Sequence, residues 1–349
     1  MVTQRVVFRT DATAEIGTGH VMRCMALADA LKTQGMESHF VCAQLVTSMR
    51  EMLISKGHVP HVLTDLHTHH DGEAAAINLV SRLLPHWLVV DHYGLDHRHE
   101  AALARDAARC LVIDDLADRR HACDLLLDQS VGRTEMDYAQ LLGPRSRCLI
   151  GPAYALLRPE FPEWRTRSLR HHREACGPVR SLLITLGGAD ADNVTGQVLA
   201  ALAASDPAPD TCVTVIVGKL SPWAGQVEAQ ARSLPCRSRV LHGVSNMAEL
   251  LASTDLVIGA PGTSASERCC LGTPSLMIRI ADNQQLIGKS LDAAGAATLL
   301  GVPADIPARL PHLLQHLQNA VARQTMSMNA AALVDGQGAQ RVIEEMLNA

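Results

Sequence analysis

The sequence predicts an α/β protein made of two Rossmann-like domains facing a cleft. Three observations carry this. Short runs of Val, Ile and Leu alternate with longer helical segments along most of the chain. The runs are continuously apolar, as strands of a parallel sheet covered on both faces are. They fall into two series with no common repeat period, one on each side of a basic segment.

The first series opens with Val6-Val7-Phe8, a Gly-containing turn and a helix from about His20 to Gln34. Gly35 ends that helix where a left-handed residue is favoured. Ser38-His39-Phe40-Val41-Cys42 is the next strand. Trp87-Leu88-Val89-Val90 is a buried strand ending at Asp91, and Cys110-Leu111-Val112-Ile113 is another ending at Asp114-Asp115. Leu125-Leu126-Leu127 and Cys148-Leu149-Ile150 complete an N-terminal domain over residues 1–155. Residues 156–179 carry Arg165, Arg167, Arg170, His171, His172 and Arg173, and read as a linker or exposed helix with a solvated basic face.

The second series, in a C-terminal domain over residues 180–349, begins with Ser181-Leu182-Leu183-Ile184-Thr185-Leu186, which ends at Gly187-Gly188. Val213-Thr214-Val215-Ile216-Val217 ends at Gly218, and Arg239-Val240-Leu241 at His242-Gly243. Leu256-Val257-Ile258 ends at Gly259, and Ser275-Leu276-Met277-Ile278 is the last strand. Ligands of such sheets bind beyond the carboxyl ends of the strands. The residues that follow each strand are therefore the informative ones.

Composition narrows the function. At 349 residues the chain suits roughly two domains, and 47% hydrophobic with 19% charged residues excludes bulk disorder. A net charge of −5 gives no global field for nucleic acid or an anionic membrane. Aromatics at 3% argue against a base-stacking platform. The ten cysteines form no C-x-x-C pair and most read as small buried hydrophobes. Arg5, Arg9 and Asp11 interrupt any signal-like stretch, and no apolar run is long enough to span a membrane. The expectation is a cytoplasmic monomer without cofactor, metal, nucleic-acid or membrane partner.

Three segments carry chemistry. In the first, Asp11 precedes Gly17-Thr18-Gly19-His20. The glycines let backbone approach a ligand, and His20 stands at a helix start, where the positive helix end disfavours a protonated ring and suits a general base. The dinucleotide fingerprint fails, because Met22 stands where a third Gly is required. The second is Asp91-His92-Tyr93-Gly94 at a strand end. The third is Gly259-Ala260-Pro261-Gly262-Thr263-Ser264-Ala265-Ser266-Glu267, a small-residue loop leading into a helix, where amides and hydroxyls form a phosphate cradle and Glu267 reaches a ribose diol. Asn283 and Gln284, after the next strand, suit sugar hydroxyls. Asp114-Asp115 lacks a metal-binding spacing, and helix or turn capping is the favoured reading. His67, His69, His70 and Asp71 lie in a polar stretch and read as exposed. Gly288-Lys289-Ser290 lacks the rest of a P-loop, and Asn193-Val194-Thr195 is a sequon without meaning in a cytoplasmic protein.

Together these segments resemble the UDP-2,4-diacetamido-2,4,6-trideoxy-β-L-altropyranose hydrolases of pseudaminic acid biosynthesis. The matching residues are Phe8-Arg9-Thr10-Asp11, Ile16 to Cys24, Val90 to Gly94, Asp114-Asp115, Gly151 to Phe161, Gly187 to Asp190 and the region from Gly259 to Gln284. That family is similar to the GT-B glycosyltransferases but passes the sugar to water. The resemblance implies a GT-B-like fold and metal-free, inverting C–O cleavage that releases UDP. It implies His20 as general base, Tyr93 at the sugar and Glu267 at the ribose. Asp11 is expected to orient His20. Gly17, Gly19, Asp91, His92, Gly262, Thr263, Ser264, Ser266, Asn283 and Gln284 are the expected substrate contacts. Two other readings stand beside it. One is a GT-B glycosyltransferase, for which Val46, Met49, Met52, Leu53 and Ile54 would offer an apolar acceptor patch, although their helical spacing favours core. The other is a non-catalytic nucleotide-sugar-binding protein.

Overall fold

A computed structural model describes residues 4–13, 17–63, 69–188, 190–205, 207–218 and 221–349, the side chains of 69–71 excepted. His67 and the side chains of His69, His70 and Asp71 therefore lie outside the described residues, as does Ile16 of the first loop. The chain divides into two compact units, residues 1–158 with 337–349, and residues 159–336.

In the first unit the strands are β1 (Arg5–Thr10), β2 (Glu37–Cys42), β3 (Val59–Val62), β4 (Trp87–Asp91), β5 (Arg109–Ile113), β6 (Leu125–Asp128) and β7 (Arg147–Ile150). They form a parallel sheet in the order β3-β2-β1-β4-β5-β6-β7. Helices α1 (Gly19–Thr33), α2 (Thr47–Ser55), α3 (His69–Leu83) and α4 (His97–Leu103) connect them. Successive strand side chains point to opposite faces. Val6, Phe8, Val89, Leu111 and Leu125 join one buried cluster with α1, while Val7, Leu88, Val90, Val112 and Leu126 join another on the opposite face. Both faces are covered, which is why the strands read as unbroken apolar runs. Met49 and Leu53 are buried in the first cluster, so most of the apolar stripe of α2 is core, with Ile54 half exposed.

The second unit contains α5 (Glu160–Glu174), β8 (Ser181–Thr185), α6 (Val194–Ala204), β9 (Cys212–Val217), α7 (Ala224–Arg232), β10 (Arg237–His242), α8 (Met247–Ala252), β11 (Leu256–Gly259), α9 (Ser264–Leu271), β12 (Ser275–Ile278), α10 (Gln285–Ala293), β13 (Thr298–Gly301), α11 (Ile306–His316) and α12 (Ala320–Leu333). Its parallel sheet runs β10-β9-β8-β11-β12-β13. The order reverses between β1 and β4 in one sheet and between β8 and β11 in the other. These are the topological switch points, where α/β sheets open a crevice at their carboxyl edge.

Two boundaries differ from the sequence reading. The segment read as a linker forms α5, which packs on α8, α9 and α12 with Phe161, Ser168 and His172 buried. Of its basic residues Arg167, Arg170 and Arg173 are exposed on the outer face, whereas Arg165 is half-buried and His172 buried on the packed side. The second domain does not run to residue 349. The last helix, α13 (Gly338–Leu347), belongs to the first unit, where Val342, Ile343 and Met346 join the cluster of Val6, Phe8 and Leu27. Gly338 permits this return, because a Cβ there would lie 2.3 Å from the Ala155 carbonyl oxygen. Ile343→Ala should therefore destabilise the first unit by about 2–5 kcal/mol, the usual cost of truncating a buried Ile. Hydrogen exchange should show lost protection in β1 and α1 and unchanged protection in β8 and β11. Lost protection in the second unit instead would contradict the assignment of α13.

Candidate functional site

The first switch point gathers charge. Thr10 of β1 lies in register with Asp91 of β4, so the ends of the two strands are side by side. Asp91 is 1% exposed. Its Oδ1 lies 2.6 Å from His20 Nδ1 and 2.6 Å from an Arg23 Nη, and its Oδ2 accepts from Arg23 Nε at 2.6 Å. Arg23 also donates to Asp115 at 2.9 Å. His20 and Arg23 are three residues apart on α1 and so share one face of the helix. Burial works to raise the Asp91 carboxyl, but the Arg23 charge and His20 outweigh it and hold it far below the usual range. An ionised carboxylate can only accept, so in a neutral His20 ring the shorter Asp91 contact favours the proton on Nδ1 and leaves Nε2 as the acceptor, although an Arg23 Nη also lies 3.1 Å from Nδ1. Tyr93, partly exposed, meets the His20 ring edge-on with centroids 4.6 Å apart.

Asp11 does not orient His20. It takes two hydrogen bonds from Arg9, at 2.7 and 3.2 Å, and one from the Ala43 amide at 2.7 Å, and lies 3.2 Å from His92 Nε2. Burial opposes ionisation of Asp11, yet His92 and Arg9 hold its carboxyl well below the ordinary range. The Gly94 amide donates to His92 Nδ1 at 3.0 Å, which leaves Nε2 as the nitrogen that donates to Asp11. The polar atoms of Asp91 and His92, expected at the substrate, are thus engaged within the protein. Arg23, which the sequence reading passed over, links Asp91 and Asp115 to α1; its three-residue spacing from His20 was the available signal. Gly17 has φ +80°, a left-handed conformation that needs glycine, and its amide closes the loop on the Thr13 carbonyl at 2.9 Å. Gly19 is the first residue of α1.

The second switch point lies within the second unit. The loop from Ala260 to Thr263 leads into α9, with Gly262, Ser264, Ser266 and Glu267 half-buried and Thr263 exposed. Among the described residues the amides of Gly262, Thr263 and Ser264 make no backbone hydrogen bond. Unpaired amides at a helix start are an anion site in waiting. Gln284 accepts from the Ile280 amide through Oε1 at 3.0 Å, and a Cβ built on Gly262 would lie 3.9 Å from its Nε2. The Gln284 amide therefore borders this loop, while Asn283 is exposed.

Beside β5 and β6 lies a third buried cluster. Asp114 accepts from the Leu116 and Ala117 amides, from Arg119 at 2.8 Å and from the Tyr138 hydroxyl at 2.9 Å. It caps its turn, in agreement with the sequence, and Asp115 pairs with Arg23. Among the described residues no group of three or more His, Cys, Asp or Glu is arranged to hold a metal. The Tyr138 hydroxyl also lies 2.9 Å from Asp128. One phenol has one proton for two carboxyls. Burial pushes the Asp128 carboxyl upward, while Arg133 lies 3.3 Å from the same oxygen.

His121 lies 2.7 Å from Glu100 and 3.7 Å from Asp114. Burial disfavours its charge, but Asp114 and Glu100 prevail and push its pKa up to about 9.

No family model matches the chain. It is 24% identical over 281 residues to a UDP-2,4-diacetamido-2,4,6-trideoxy-β-L-altropyranose hydrolase of Campylobacter jejuni, covering 80% of this chain and 93% of that protein. The fold and the motifs agree with that match. The chain resembles this hydrolase family, and its fold is GT-B-like. It is 27% identical over 199 residues to the spore coat polysaccharide biosynthesis protein SpsG of Bacillus subtilis, covering 56% of this chain and 57% of that one. It is 22% identical over 280 residues to an uncharacterized protein of Methanocaldococcus jannaschii, covering 78% of this chain and 55% of that one. The chain thus spans little more than half the length of the last two relatives. Among solved structures, MurG of Acinetobacter baumannii superposes with TM-score 0.71 at 15% identity, over 99% of this chain and all of that one. UDP-GlcNAc 2-epimerase of Neisseria meningitidis bound to UDP-GlcNAc gives 0.66 at 12% identity over the whole of both. No helix among the described residues is long and apolar enough to cross a membrane.

The His121 cluster yields a pH prediction. A histidine whose pKa is raised on folding adds stability that is full below its unfolded value of 6.5 and is lost as pH rises through about 9. Denaturation midpoints should fall across that window, and His121→Gln should flatten the fall. A wild-type midpoint that rises between those pH values would contradict the charged His121–Glu100 pair.

Proposed function

We propose that this protein is a hydrolase of UDP-2,4-diacetamido-2,4,6-trideoxy-β-L-altropyranose, releasing UDP and free 2,4-diacetamido-2,4,6-trideoxy-L-altrose in pseudaminic acid biosynthesis. The observation that carries the chemistry is the 2.6 Å contact between His20 Nδ1 and Asp91. It leaves Nε2 as a base. In the reaction, a water oxygen bonds to the anomeric carbon while the bond from that carbon to the UDP oxygen breaks. The water proton passes to Nε2, and Asp91 stabilises the resulting imidazolium. Attack opposite the leaving group inverts the anomeric configuration. UDP is a good leaving group and needs little protonation. The unpaired amides at the start of α9 receive its diphosphate charge, with Glu267 at the ribose and Gln284 beside it. Tyr93 borders His20 and takes the sugar side.

The choice of substrate rests on the resemblance, supported by the Campylobacter hydrolase and the 93% of its length that the match covers. The UDP-GlcNAc bound to the Neisseria epimerase supports a nucleotide-sugar ligand in general. Nonulosonic acid synthesis for flagellin glycosylation is the setting the family suggests, in a cytoplasm with which ten free cysteines agree. We take the reaction to need no metal, because Asp114 and Asp115 already serve amides, Arg119, Tyr138 and Arg23.

The test is NMR of the purified protein with a panel of UDP-diacetamido sugars in ¹⁸O-water. Free sugar of inverted configuration should appear with the label in the sugar, with water the sole acceptor and with EDTA present. His20→Gln should lower kcat by about 10²-fold or more while substrate binding persists. Label in the phosphate would refute C–O cleavage. Turnover only after a sugar or lipid acceptor is added would make the protein a glycosyltransferase, and binding without turnover would make it a sensor.

A further inference from the structure

Among the described residues of the second unit three arginines serve backbone carbonyls, and one of them is misplaced by the rule the other two follow. Arg165 donates to the carbonyls of Cys270, Ala331 and Val334, at the C-terminal ends of α9 and α12. Arg323 donates to Leu317 and Gln318, at the end of α11. A cation at a helix C-terminus meets the negative end of the dipole and is stabilised. Arg268 does the reverse. It is the fifth residue of α9, and its guanidinium reaches back to the first, donating to Ser264 Oγ at 3.0 Å and to the Ala260 carbonyl at 2.8 Å. A positive charge is thereby fixed at the positive end of the helix.

That charge is also buried and poorly compensated. Arg268 is 2% exposed, its Nε has no partner, and among the described residues no carboxylate forms an ion pair with it. Burial depresses the Arg268 pKa, against the opposing fields of Cys269 and Glu267. A guanidinium stays charged under these conditions, so a compensating anion is missing. The space for the guanidinium is itself built in: a Cβ at Gly259 would come within 3.0 Å of Arg268 Nη1 and 3.0 Å of the Thr185 carbonyl.

We propose that Arg268 is the fixed countercharge behind the loop from Ala260 to Ser264, and that it selects a diphosphate over a neutral ligand there. It acts from beneath the loop as a positioning residue. The amides of Gly262, Thr263 and Ser264 supply the direct contacts, and the Arg268 charge sets their polarity and holds their backbone. The inference rests on the reading of this loop as the UDP site and extends it to a named selectivity residue.

Calorimetry with UDP, inorganic pyrophosphate and uridine tests it. Arg268→Met should weaken UDP and pyrophosphate by about tenfold or more, as loss of a charge-assisted interaction does, while uridine changes by less than about twofold. Arg268→Lys should keep pyrophosphate within about threefold of wild type, because the charge remains. Equal losses for UDP and uridine, or no loss for UDP, would overturn the proposal while leaving the site assignment standing. Should Arg268→Met fail to fold, Arg268→Lys decides alone: retained pyrophosphate affinity supports the charge role and its loss refutes it. Absence of UDP binding by the wild-type protein, with Glu267→Ala without effect, would overturn both this proposal and the site reading beneath it.

Discussion

The Asp91 carboxylate is the constraint on which the carboxyl edge of the first unit's sheet depends. It ends the β4 strand, next to β1 at the sheet's switch point, and it is almost wholly removed from water. A buried carboxylate without cations would protonate or drive the strand end apart. Arg23 meets it with two hydrogen bonds, and His20 adds a third. Both side chains come from one face of α1, so satisfying Asp91 fixes the rotation of that helix over the sheet. The same arrangement puts Nδ1 of the His20 ring, rather than Nε2, against Asp91. The packing of α1 and the orientation of the His20 ring thus follow from one electrostatic requirement. Asp11 has a parallel role on the neighbouring strand, tying the end of β1 to the end of β2 through Ala43 and to the β4 loop through His92.

Much of this was legible in the chain, for physical reasons. Central strands such as Trp87-Leu88-Val89-Val90 are buried on both faces and need no pattern beyond apolarity. Edge strands are weaker signals. β3 is only Val-Pro-His-Val, half-buried, with a proline that an edge tolerates, and β13 is four residues after a run of small ones; neither stands out from its surroundings. The return of α13 to the first unit was also hidden. Its apolar stripe of Val342, Ile343 and Met346 requires a core, but local sequence cannot say which of two cores receives it.

The site residues divide the same way. His20 stood out because glycines precede it at a helix start, and Asp91 because it ends a buried strand. Their pairing was missed because 71 residues separate them, and strand register alone brings them together. Asp11, nearer in sequence, was the plausible but wrong partner. Arg23 and Arg268 were overlooked for a shared reason: an arginine in a helix reads as a solvated charge, and only burial shows otherwise. In both units the polar residues that matter most lie on the first two turns of the helix after a switch-point strand, which is where a ligand-binding crevice opens.

The central claim is that Asp91 holds His20 with its proton on Nδ1 and its base on Nε2. Nitrogen-15 NMR of the selectively labelled histidine ring measures this directly, without substrate. A protonated, pyrrole-type shift is expected for His20 Nδ1 and an unprotonated, pyridine-type shift for Nε2 in the neutral ring. Asp91→Asn should mix or reverse the two forms while the sheet remains folded. A proton on Nε2 in the wild-type neutral ring would remove the base from the site and contradict the account.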